Sequence, residues 1–135
     1  MMTASATALI GLIAWALVLS LCLLTARFAA MFTGHPVNTF TQDGSELPDI
    51  SARVTRAHGN CLEWLVIPVG LLGFAIATDQ HAITDGLALI FLGARVLQSV
   101  THIISTTTPF VLIRATFFTV HVVISIIWAV KFLTG

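Results

Sequence analysis

ATALIGLIAWALVLSLCLLTA, running from Ala6 to Ala26, contains no charged side chain. Roughly 20 consecutive apolar residues suffice to carry a helix across the hydrocarbon core of a bilayer. No Lys or Arg precedes Arg27, so the positive n-region of a cleavable leader is missing. The run also exceeds the roughly 7–15 residues of a leader's apolar segment. The expectation is a retained transmembrane helix. Working outward, three more stretches have the same character, including LALIFLGA from Leu87 to Ala94 and VVISIIWAV from Val122 to Val130. Both are continuously apolar, without the alternation of a membrane barrel strand. A segment in lipid must satisfy its own backbone hydrogen bonds, so helices are the remaining solution. The reading is an all-α, integral membrane four-helix bundle in a single domain, residues 1–135. Its helices are expected over about 6–32, 52–78, 82–105 and 109–133, with one long polar loop over about 33–51.

Composition agrees. Hydrophobic residues make up 57% of the 135-residue chain and charged residues only 9%, against about 25% charged in a soluble domain. Six basic and six acidic side chains cancel. There is no basic patch for nucleic acid and too much hydrophobicity for a disordered chain. Cys22 and Cys61 form no CxxC and read as small buried residues. No HxxxH or Glu-x-x-His spacing occurs, so no metal site is expected. Arg27, Arg53, Arg56 and Arg114 cluster at one end of the helices and only Lys131 lies near the other. The positive-inside rule therefore puts the long loop and the Thr106–Pro109 turn in the cytoplasm.

Ionisable residues inside a membrane are costly and point to function. Arg53, Arg56, Asn60 and Glu63 follow one another at spacings of 3, 4 and 3, which confines them to an arc of about 80° on a helix. Arg95, Gln98, Ser99 and His102 share a face of the third helix, and Arg114, His121 and Ser125 a face of the fourth. Glu63 and Arg95 each lie about 15 Å from the loop end by helical rise, so an ion pair between them is expected. His58 falls about 140° from Arg53 and is expected to be a helix-packing or interfacial residue. Asp79 and Asp85 flank a short turn and are expected to stay in water. More arginines gather here than one carboxylate can neutralise. The surplus calls for an anionic guest, because a guanidinium grips carboxylate or phosphate with a two-pronged fork.

The string Arg53-Val-Thr-Arg56-Ala-His58-Gly-Asn60-Cys-Leu-Glu63 resembles the second-helix signature of the MAPEG family, the membrane-associated proteins of eicosanoid and glutathione metabolism. The order of elements resembles that family over nearly the whole chain, with an Arg deep in the third helix (Arg95) and another near the start of the fourth (Arg114). The resemblance implies a homotrimer with active sites at subunit interfaces, facing the cytoplasm, and glutathione as cosubstrate. Carried over by position, it implies that Arg56, Asn60 and Glu63 hold the peptide and that Arg95 assists. Arg114 would lie near the thiol as the catalytic residue. Arg53, Gln98, His102 and Arg27 complete the candidate binding set. It also implies a lipophilic small-molecule substrate or lipid reaching the site from the bilayer. The chain is most similar to bacterial-type members, which implies an inner membrane. The chain departs from the eicosanoid branch in having no tyrosine, with Gln98 and His102 at spacings where that branch carries His and Tyr.

Glutathione's two carboxylates, one ammonium and a thiol complement several arginines and one carboxylate. A guanidinium near sulfur favours the thiolate, its reactive form. The activity expected is a glutathione transferase or peroxidase acting on hydrophobic electrophiles. Two other classes compete. One is a non-catalytic lipid-binding or scaffold protein on the same fold. The other is a small proton-coupled exporter, disfavoured because the first helix carries no carboxylate.

Overall fold

The computed structural model describes residues 1–135. Its elements are α1 (Ala4–Phe32), a short 3-10 turn (Val37–Thr39), α2 (Asp49–Ala77), α3 (Ala82–Ile104) and α4 (Thr108–Thr134). All four α-helices are long and apolar enough to cross a membrane. α2 starts earlier than its apolar pattern suggested. Pro48 is extended and leads straight into Asp49, whose carboxylate suits the positive end of a helix dipole. Pro109 sits in the first turn of α4, where its missing N–H costs nothing.

Two devices start α1. The Thr3 hydroxyl accepts from the Ala6 N–H at 3.1 Å. Asp85, in the first turn of α3, accepts from the Ser5 N–H at 2.8 Å and from the Ser5 hydroxyl at 2.6 Å through one oxygen. Its other oxygen takes His81 Nδ1 at 2.9 Å. Asp85 was expected to remain in water; instead it ties α1 to α3. Both helices begin at this end, so one carboxylate answers two clusters of unpaired N–H groups. The α2–α3 turn closes with Asp79 in the left-handed region at φ 55. The Gln80 N–H reaches back to the Ala75 carbonyl at 2.7 Å, a common way to end a helix.

α3 is the hub and packs against each of the other helices, whereas α2 and α4 meet only lightly. Ala8, Leu12, Leu72, Ala88, Phe91, Ile124 and Trp128 form the main core. Ala16, Leu19 and Cys61 form a second cluster toward the loop end. Small residues let membrane helices approach closely. At Gly11 of α1 an added Cβ would lie 2.6 Å from Leu92 of α3. His58 packs between helices, its Nε2 3.0 Å from the Ser20 hydroxyl of α1. The outer surface is lined by exposed Leu17, Leu21, Val66, Leu89, Leu97 and Leu112, as a lipid-facing surface should be.

Candidate functional site

The polar arc of α2 opens into a cavity of about 300 Å³ at the loop end of the bundle. Thr55, Arg56, Gly59, Asn60 and Glu63 line it from α2, and Gln42 and Asp43 line it from the loop. The loop is seated there by Gly44, which is buried and holds φ +66. A Cβ at this glycine would lie 2.9 Å from the Thr55 side chain. The loop backbone therefore rests on Thr55, itself 2% exposed, with Asp43 next to it in sequence at the cavity wall.

A second anchor shapes the loop. The Thr41 hydroxyl lies between two carboxylates, 2.7 Å from Asp43 Oδ1 and against Glu46 Oε2, and its single proton serves one of them at a time. The Thr41 N–H donates to Glu46 Oε1 at 2.8 Å and the Ser45 N–H to Asp43 Oδ1 at 3.2 Å. Hydrogen bonding to the charged form favours it. The Thr41 hydroxyl, then the Ser45 N–H, hold the Asp43 carboxyl below its ordinary range. The same hydroxyl does so for Glu46. Asp43 is thus a carboxylate at neutral pH, its Oδ2 free of protein partners.

The two ion pairs in the chain both belong to His81 at the opposite end. Arg56, Asp43 and Glu63 therefore share one cavity without pairing with each other. The expected Glu63–Arg95 ion pair does not form. Glu63 is exposed on the outer edge of the α2 arc, while Arg95 is 1% exposed inside the bundle. Depth was matched, but an arc of about 80° is wide enough to span an inner and an outer edge. Arg95 Nη1 donates instead to Gln98 Oε1 at 2.9 Å, and Gln98 Nε2 reaches Asn60 Oδ1 at 3.4 Å. This relay couples the α3 interior to the cavity wall. Arg95 Nη2 is buried without a partner.

Arg53 lies at the inner edge of the arc and is engaged elsewhere. Its Nε donates to the Ile103 carbonyl at 2.7 Å, satisfying an orphan group at the end of α3. It does not line the cavity. Arg27 lies beneath the loop, its guanidinium 5.5 Å from the centre of the Phe40 ring. It lines a separate, mostly apolar cavity of about 240 Å³ with Leu24, Phe28, Met31 and Val37. Within one chain it is not brought to Arg56. Arg114 and His102 are half-buried at the loop end, and His102 is within electrostatic reach of both Arg114 and Arg56. His121 is fully buried and bonds the Phe91 carbonyl through Nε2 at 3.2 Å, which places it in the core rather than at the cavity.

Sequence reasoning missed Gln42 and Asp43. The available signal was the Asp43-Gly44 dipeptide, a turn former of the kind that can carry positive φ. The assembled cavity presents one guanidinium, two carboxylates and two side-chain amides. That set suits a small ligand bearing both charges and peptide groups. No curated protein and no solved structure matches the chain. Residues 5–134 match the model of the MAPEG family, and the chain belongs to that family.

Proposed function

We propose that this protein is a membrane-bound glutathione transferase, with peroxidase activity as a related capacity, working on hydrophobic electrophiles supplied by the bilayer. The observation that carries the reading is the α2–loop cavity. There Arg56 and Glu63 face the same space without pairing, on the fold of a family named for glutathione metabolism. Arg56 would take a glutathione carboxylate as a charge-assisted pair. Asn60, steadied by Gln98 and through it by Arg95, would take the peptide backbone. Glu63 would take the ammonium.

Arg114 is the candidate catalytic residue. Its guanidinium would stabilise the thiolate at neutral pH. In the transfer step the sulfur lone pair forms the S–C bond, and the leaving group departs with its bonding electrons. Where the electrophile is an epoxide, the C–O bond opens and the alkoxide takes a proton from water. In the peroxidase reaction two glutathione thiols reduce one hydroperoxide to an alcohol and water and are oxidised to the disulfide. His102 would join the glutathione-binding set between Arg56 and Arg114. Arg27 and Arg53 would contribute only if a second subunit supplied them. A homotrimer with the sites between subunits is part of the proposal, as are a bacterial inner membrane and a cytoplasmic loop end.

The test is glutathione titration of the purified protein in detergent, read by thiolate absorbance near neutral pH. A saturable signal in the wild type that is lost in Arg114→Ala, with Tm unchanged, supports the assignment. Wild-type signal and activity in Arg114→Ala reject Arg114. No binding at millimolar glutathione rejects the transferase reading and favours a non-catalytic lipid-binding or scaffold role on the same fold.

A further inference from the structure

The second carboxylate of the cavity comes from the loop, not from the helices, and its placement depends on a specific contact. Gly44 holds φ +66 and rests on Thr55 so closely that no Cβ fits. Asp43 spends Oδ1 on Thr41 and Ser45. Its other oxygen has no partner and no Lys, Arg or His nitrogen pairs with it. Glu63, lining the same cavity from α2, is likewise unpaired. Two carboxylates flanking one space have a shared use. Like charges brought together are unfavourable unless a cation lies between them. A primary ammonium is compact and carries three donors, so it suits carboxylates that line one cavity, with Arg56 left for an anion.

Resting on the reading of this cavity as a glutathione site, we propose that Asp43 is a specificity residue. Together with Glu63 it reads the protonated α-amine of the ligand, so the site selects peptides with a free amino terminus over their N-acylated forms. Gly44 is its positioning residue.

The experiment uses the full chain in detergent and two probes, glutathione and N-acetylglutathione, titrated calorimetrically. The wild type should prefer glutathione by about tenfold or more, equivalent to roughly 1.4 kcal/mol. Asp43→Asn should lower that ratio by about threefold or more, with Glu63 holding the remainder, while leaving the affinity for N-acetylglutathione unchanged. Gly44→Ala should do the same by lifting the loop from Thr55. Asp43 is exposed, so Asp43→Asn is expected to leave Tm unchanged. A full preference retained in Asp43→Asn overturns the inference. If glutathione binding is then still lost in Arg56→Ala, the glutathione reading survives without it. A wild type that binds neither probe overturns both.

Discussion

Arg95 and Gln98 form the buried polar joint of this bundle, with Nη1 of the guanidinium donating to the amide oxygen at 2.9 Å. Both side chains are more than nine-tenths buried, and no carboxylate accompanies them. Gln98→Leu removes the acceptor and strands the guanidinium in an apolar interior. The expected loss is about 2–3 kcal/mol, seen as a lower Tm in detergent. Asn60 loses its α3 partner as well, so glutathione affinity should fall in the same variant. An unchanged Tm would show that Arg95 draws its support from elsewhere.

Glu63→Gln should behave in the opposite way. Glu63 has no ion-pair partner within the chain, so the change strands no buried charge and Tm should not fall. Its effect should fall on the ligand, as weaker glutathione binding with Tm preserved. A large stability loss would indicate a partner for Glu63 outside the single chain.

Asp85→Ala should release the start of α1. It removes the acceptor for the Ser5 N–H, leaves the Ser5 hydroxyl to Thr84 and the His81 carbonyl, and leaves His81 with only the longer contact to Asp79. Loss of a helix cap costs about 0.5–2 kcal/mol. Amide exchange should rise in the first turn of α1 and stay unchanged in α2. Uniform acceleration across all four helices would mean that Asp85 supports the whole bundle.

The Thr41 knot predicts an acid-sensitive loop. Asp43 and Glu46 are both held below their ordinary values, chiefly by the Thr41 hydroxyl. A depressed carboxyl contributes stability that is present above its unfolded value and is lost as pH falls through the folded one. Loop amides should therefore be protected from above about pH 5 upward and lose protection progressively below about pH 4. Thr41→Val should remove most of that dependence. A loop protected equally at pH 3 and pH 7 would contradict the knot.

The architecture was legible because membrane-spanning helices leave a coarse signal. Four apolar runs and one polar interval place the helices, and Pro109 marks the start of the last. The α2 residues of the cavity were legible too, since spacings of 3 and 4 put Arg56, Asn60 and Glu63 on one side. What periodicity could not do was assign partners. Arg53 and Glu63 belong to the same arc, yet one caps α3 and the other faces outward. That difference depends on which way α2 is turned in the bundle, with Ala57 and Cys61 on its buried side, and no local pattern records it. Asp43 and Asp85 were missed for a related reason. Each acts on a distant segment, Asp43 beside α2 through Gly44 and Asp85 on α1.

The Asp85–Ser5 contact joins residues 80 positions apart in the chain, and Gly11 meets Leu92 in the same seam. A chain made from its N-terminus inserts α1 long before α3 has been synthesised. During that interval α1 can lean on α2, but the groove at Gly11 has nothing to fill it and the Ser5 N–H has no carboxylate. The N-terminal half of α1, although made before α3, is therefore fixed in place only once α3 is present. Completion of α3 is the step that locks the order of assembly, and defects at Asp85 or Gly11 should appear as failures of biogenesis and low yield before they appear as failures of chemistry.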